Sequence, residues 1–402
     1  MTSAPQLAKA FDLRTIDAAF LDNPYPTYAA LRQFDPVHRS PDGSYFLTRY
    51  DDVMAVYRSR AFSSDKKAEF EPKYGDSPLY THHTTSLVFN DPPLHTRVRK
   101  LLAPAFTPRA LGVLEPRFAA LVDGLLDAAE ARGKMDLIED FAAALPVEII
   151  GDLLGVPRAD RGPLRGWSLA ILGALEPVLT PEVERRGNQA VADFSSYLGD
   201  LIGERRRHPR DDDVLSALIT GAVDGVPLSE NELIQNCIFL LNAGHETTSN
   251  LIGNGVAALL DHPAERAILR DNPDLIETAV EEFLRFESSN QLGNRRATQD
   301  VEIGGKTLQS GSFITLCIGA ANRDPAQFCD PDRLDIARTP NRHLAFGAGA
   351  HACAGITLAR MEGRIAIGRL LRRFPNLRRD GTPQRGGRAR FRGYLSYPLA
   401  LE

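Results

Sequence analysis

Four groups of residues in this 402-residue chain have types and spacings suited to chemistry. The first is Phe346-Gly347-Ala348-Gly349-Ala350-His351-Ala352-Cys353-Ala354-Gly355, where glycines let the backbone curl beside a flat ligand. A helical pattern follows it (Ile356, Leu358, Ala359, Ile365, Ile367, Leu370). A cysteine at a helix N-terminus is biased toward thiolate, which is a metal ligand or a nucleophile. The second group is Ala243-Gly244-His245-Glu246-Thr247-Thr248, an acid beside an alcohol in a run otherwise free of charge. A carboxylate there is costly unless paired or used. His95 with Arg99, four apart on one helical face, is the third, and Glu282 with Arg285, one turn apart, is the fourth. The bland readings are a buried cysteine, a hydrated polar kink, a solvated basic face and a surface ion pair.

Positioning these groups requires long elements. Ser229 and Glu232 form a capping box, and the helix it opens runs to His262-Pro263, on the order of 50 Å. Phe239, Ala243, Glu246 and Asn250 share one of its faces, and His245 reads as a structural or surface-facing histidine. Further helices are predicted over 110–154 and 181–207, and after an Asn272 cap with Pro273 at N1. Residues 37–40 and 45–48 flank the turn Pro41-Asp42-Gly43 as a hairpin, and a strand opens at Asn294. Residues 63–87 are polar and aperiodic, which predicts a functional or disordered loop.

Composition narrows the classes. At 43% hydrophobic the chain can bury a large core, and a net charge of −5 carries no nucleic-acid signature. Met1 to Ala10 lacks a basic and then apolar leader, and no window reaches the roughly 18 apolar residues of a membrane span. Cys237, Cys317, Cys329 and Cys353 show no disulfide or paired metal spacing. The expected location is the cytoplasm, without a membrane anchor. A zinc site from His343, His351 and Cys353 lacks a fourth ligand.

Phe346 to Gly355 resembles the haem-binding loop of cytochrome P-450 monooxygenases, F-G-x-G-x-[HR]-x-C-x-G, at every fixed position. Ala243 to Thr247 is similar to that family's [AG]-G-x-[DE]-T, His95 to Arg99 to its H-x-x-x-R, and Glu282 to Arg285 to its E-x-x-R. The motifs stand in the family order across nearly the whole chain. The resemblance implies one domain, 1–402, of the cytochrome P-450 fold: mainly α with small β-sheets, haem lying between the long central helix and the cysteine-loop helix. It implies haem b (iron protoporphyrin IX) with Cys353 as its iron ligand and Phe346 and Gly347 against it. His95, Arg99, Arg295 and His351 would meet the propionates. Glu246 and Thr247 would relay protons to dioxygen, and Glu282, Arg285 and Arg333 would form a structural trio.

The same resemblance places Phe239, Asn242, Ala243, Asn290, Leu292, Tyr394 and residues 74–88 around the substrate. Relatives commonly carry S-P-V where this chain has Ser288-Ser289-Asn290, a hint of an oxygen-bearing substrate. The implied activity is insertion of one atom of O2 into a C–H or C=C bond of a mainly apolar small molecule. Electrons would come from a ferredoxin or flavodoxin with its reductase, docking near Arg97, Lys100, Arg342, Arg360 and Arg364. A missing anchor points to the soluble bacterial type. Peroxide-driven members typically lose the acid–alcohol pair that this chain keeps, and a non-catalytic haem-binding protein would have no use for it.

Overall fold

The computed structural model describes residues 3–210 and 213–401; Met1 and Thr2 of the stretch read for a leader lie outside. Its axis is the helix Glu230–Asp261, 32 residues long. The capping box forms as predicted: Ser229 N–H donates to Glu232 Oε2 at 2.9 Å, and Glu232 N–H to Ser229 Oγ at 3.2 Å. Asn236, Leu241, Ile252 and Val256 are fully buried, so neighbours cover this helix on most sides. At Gly244 a Cβ would stand 2.6 Å from Ile150 Cδ1; glycine lets the helix Ala144–Leu153 lie close.

Two large apolar clusters share the central helix. Its Leu251–Leu259 half joins the helices Pro108–Arg132, Ile276–Phe286 and Ile356–Arg373. Its Leu233–Leu241 half joins the helix Pro181–Arg207 and residues of the segment 70–102. A third cluster lies against a five-stranded sheet ordered Val37–Arg39, Tyr45–Leu47, Phe313–Cys317, Leu292–Ala297, Phe62–Ser63. The predicted hairpin is its edge, and Ile314 is paired with Tyr45 on one side and Arg295 on the other.

Residues 63–87 are not a loop. They form the helices Lys67–Tyr74 and Pro78–Thr85. The inward positions include His82, His83 and Thr84 beside Phe70, Tyr74 and Leu79, so no apolar period showed in the sequence. Asn272 does not cap with its side chain; it donates back to the Ile268 carbonyl at 3.2 Å, and a short turn, Pro273–Leu275, precedes the helix. Among the described residues no helix is long and apolar enough to cross a membrane.

Candidate active site

The central helix and the helix Ile356–Arg373 touch where Thr248 Oγ1 donates to Glu362 Oε2 at 3.3 Å, and again where Leu251 meets Gly363 and Ile367 meets Gly255. Toward their N-termini they diverge. Ala243, one turn before Thr247, is exposed although it sits mid-helix, and Cys353, three residues before the second helix, is exposed too. A wedge therefore opens between the two elements, with a thiol on one wall and a methyl-lined, hydroxyl-bearing helix on the other. Thr247 Oγ1 donates to the Ala243 carbonyl at 2.7 Å on that open wall.

The loop before Cys353 is set by its backbone. Gly347 and Gly349 have φ of 65° and 70°, and a Cβ on Gly349 would lie 2.3 Å from the Tyr57 carbonyl oxygen, so glycine is required there. Cys353 N–H donates to the Phe346 carbonyl at 2.9 Å, and Arg99 Nη1 ties the loop to its own helix through the Ala352 carbonyl at 2.7 Å. Enclosure by the protein pushes the Cys353 thiol up; the Gly355 N–H and Arg99 pull it down only in part. Position near a helix N-terminus alone does not make it a thiolate, contrary to the bias read from sequence. A cationic metal would supply the missing stabilisation.

Beside the thiol, His351 and His95 stack with ring centroids 4.0 Å apart, and Arg99 and Arg295 lie within electrostatic reach of both. Burial first, then Arg295, His95 and Arg99, hold His351 down to about 3. His95 Nε2 is buried without a partner, and no carboxylate pairs with any of the four among the described residues. Asp91 lies within electrostatic reach of His95 and Arg295 but forms no ion pair with either, and converging donors left without a paired carboxylate fit an acidic ligand. A wedge, an accessible thiol and this basic cluster together fit haem with its two propionates.

The expected acid–alcohol pair divides. Glu246 turns away from Thr247 and is clamped by Arg388, whose Nη1 donates to both carboxylate oxygens at 2.7 and 2.8 Å. Burial raises Glu246 to about 7, with Arg388 opposing and Glu176 adding. A cavity of about 20 Å³, room for one water, touches Glu246, His245, Ser249 and Asn250. It shares Leu169, Gly386 and Arg388 with an outer crevice of about 520 Å³. His245 is buried, 3.3 Å from Ser168 Oγ, and is held neutral, down to about 3.

Several predicted positions move. Arg333 is 66% exposed and reaches only Glu265, at 3.9 Å; the third member of the trio is Arg338, whose Nε donates to Glu282 at 3.1 Å. Glu282 and Arg285 are fully buried and paired twice at 2.8 Å, and Arg333 contributes its carbonyl to Arg285. Leu292 is fully buried in the cluster of Phe11 and Phe46, so only its carbonyl faces Arg390. Tyr394 lies edge-on to Tyr397, with Arg385 over its ring, on the far side of the central helix.

Asn242 is buried and donates to His82 Nε2 at 3.3 Å, while Phe239 and Asn290 are partly exposed. Of the basic docking candidates, Arg97, Arg360 and Arg364 are paired to Glu232, Glu281 and Glu115. His343 binds Glu281 with one ring nitrogen and accepts from Ala345 N–H with the other, which removes it from any zinc site with Cys353. Glu362, missed in the sequence, stands on the apolar stripe between Leu358 and Ala366, and that misplaced charge was the readable signal. Arg338 and Arg388 carried none.

The family model described as Cytochrome P450 matches residues 169–384. Vitamin D(3) 25-hydroxylase of Pseudonocardia autotrophica is 43% identical over 364 residues, 89% of this chain and 88% of that one. The biotin biosynthesis cytochrome P450 of Bacillus subtilis is 40% identical over 90% of this chain and 92% of its own length. The crystal structure of P450BioI with hexadec-9Z-enoic acid ligated to acyl carrier protein superposes with a TM-score of 0.91 at 37% identity, covering 96% of this chain and all of that one. The chain belongs to the cytochrome P450 family. It is a haem-iron monooxygenase of the oxygen-inserting kind, and these similar proteins are bacterial.

Proposed function

We propose that this chain would hold haem b through Cys353 as its thiolate ligand and inserts one oxygen atom of O2 into a C–H bond of a mainly apolar small molecule. The observation that carries it is the accessible thiol in the wedge opposite Ala243 and Thr247, beside four basic side chains with no carboxylate in an ion pair among the described residues. When bound, the haem supplies dioxygen activation, and a thiolate ligand favours O–O cleavage. Phe346 and Gly347 would lie against the haem, and Arg99, Arg295, His95 and His351 would receive its propionates. Thr247 holds a proton at Oγ1 on the open wall. Glu246, near half protonation at neutral pH, stores another and exchanges it with water through the crevice that Arg388 guards. Glu282, Arg285 and Arg338 hold the loop region in place.

Electrons come from a separate ferredoxin or flavodoxin with its reductase, in the cytoplasm. Phe239, Ala243, Asn242 and Asn290 border the substrate. The test is the absorption spectrum of the reduced, CO-bound protein. Wild type should show the strongly red-shifted Soret band of thiolate-ligated haem, and Cys353→Ala should lose it. A protein that takes up no haem, or a variant that keeps the band, overturns the reading.

A further inference from the structure

The C-terminal segment inserts three arginines into the interior at alternate positions, Arg388, Arg390 and Arg392. Two have dedicated carboxylates: Arg388 holds Glu246, and Arg392 holds Glu287. Arg390 has none within ion-pair distance among the described residues. Its hydrogen bonds go to neutral oxygens: Nε to the Leu175 carbonyl at 3.1 Å, Nη1 to the Leu292 carbonyl at 2.6 Å, Nη2 to Asn294 Oδ1 at 2.6 Å. A guanidinium has five N–H donors, so one remains on each terminal nitrogen, a pair that suits a two-oxygen anion.

Arg390 keeps accessible surface, yet it does not line the outer crevice that its neighbours Arg388 and Ala389 line. It lies along the strand that carries Arg295 and under the two helices of residues 67–85, with Tyr57, Tyr74 and Lys73 in electrostatic reach. Lys73 Nζ likewise donates to carbonyls, those of Ala174 and Glu176, both at 3.2 Å, and lies 5.0 Å from the centre of the Tyr74 ring. Nearby Lys66 is spent on Glu69. The nearest opposing carboxylate, Glu176, is occupied by the N–H groups of Ala389 and Arg390 at 2.9 and 3.1 Å. His83 is 1% exposed, ringed by Phe70, Tyr74 and Phe89, and both its ring nitrogens lack partners. The side-chain hydrogen bonds of Arg390 thus all go to neutral oxygens, with the charges of Glu176 and Glu69 felt only at longer range, and its two remaining N–H donors favour an anion that reaches them.

We propose that Arg390, with Lys73 and His83 beside it, anchors a carboxylate on the substrate, so that this enzyme oxidises an organic acid whose apolar body extends toward Ala243. The proposal rests on the monooxygenase reading above and adds the class of substrate. The propionates have their own cluster at His95, Arg99, Arg295 and His351, which leaves Arg390 for another anion.

The test uses the haem-loaded full chain with dodecanoic, cinnamic and abietic acids, each beside its methyl ester. Binding is followed by the spin-state shift of the haem band and, in parallel, by calorimetry. At least one acid should bind about 10-fold or more tightly than its ester. Arg390→Gln should erase that preference while ester affinity and haem content hold. Asn294→Asp, which neutralises the guanidinium in place without removing it, should erase it as well. A panel in which no acid out-binds its ester overturns the proposal, as does a preference that survives in both variants. An Arg390→Gln protein that sheds haem would assign the guanidinium to the cofactor and overturn it too. Failure of the monooxygenase reading would show separately, as a missing red-shifted CO band, with calorimetry still deciding between acid and ester.

Discussion

Single residues carry the chemistry here through the company they keep. Glu246 and Glu362 are both buried acids flanking Thr247 and Thr248, yet one faces a guanidinium and the other only a hydroxyl. Burial lifts Glu362 to about 8 against the ordinary 4.5, with the Thr248 bond offsetting little. The folded chain thus keeps that proton to about pH 8, whereas the unfolded chain releases it near 4.5. This group's effect on stability is therefore neutral below 4.5, turns unfavourable as pH rises and is complete above about 8. Glu362→Gln should lose nothing of that kind, so its denaturation midpoint should gain on wild type between about pH 5 and about pH 9. A midpoint difference that stays constant with pH would mean that the carboxyl is already ionised in the fold.

At the scale of elements, the segment 331–341 that leads into the cysteine loop is held by a buried ion-pair network. Glu282 receives Arg285, Arg338, Asn341 Nδ2 and the Asp335 N–H, so its charge is fully answered. Removing Arg338 strands part of a buried carboxylate, which should cost about 3–5 kcal/mol in chemical denaturation of the haem-loaded protein. Arg333→Ala, cutting an exposed side chain, should stay within about 0.5 kcal/mol of wild type. Equal losses in the two variants would restore Arg333 to the trio. The resemblance pointed to Arg333, and nothing in the sequence singled out Arg338. The choice depended on the turn of residues 330–338, where Asp330 takes a positive φ of 44° and Arg333 is left facing solvent.

Over the whole molecule, the proposed electron donor would dock on the side that carries Cys353. Internal ion pairs use up Arg97, Arg360 and Arg364, while Lys100 and Arg342 remain exposed with no carboxylate partner among the described residues. Reversing both, Lys100→Glu with Arg342→Glu, should raise the KM for an acidic ferredoxin at least about three-fold at low salt, with the gap closing as salt is added. A KM that is unchanged, or a defect insensitive to salt, would move the docking face elsewhere.

The sequence by itself determined the family, the central helix with its capping box, the cysteine loop and the Glu282–Arg285 pair. Each of these is local: a turn that needs glycine, a cap three residues from its partner, a pair one helical turn apart. Tertiary structure decided what faces what. Glu246 and Thr247 are adjacent in sequence but point apart by about 100° around the helix, and a guanidinium 142 residues away claims the acid. The helices of residues 67–85 were hidden because their inward positions are filled by histidine and threonine, which bury well only where Gln235, Asn242 and neighbouring rings receive them. Arg388, Arg390 and Arg392 look alike along the chain. Only the fold assigns two of them to carboxylates and leaves the third without one.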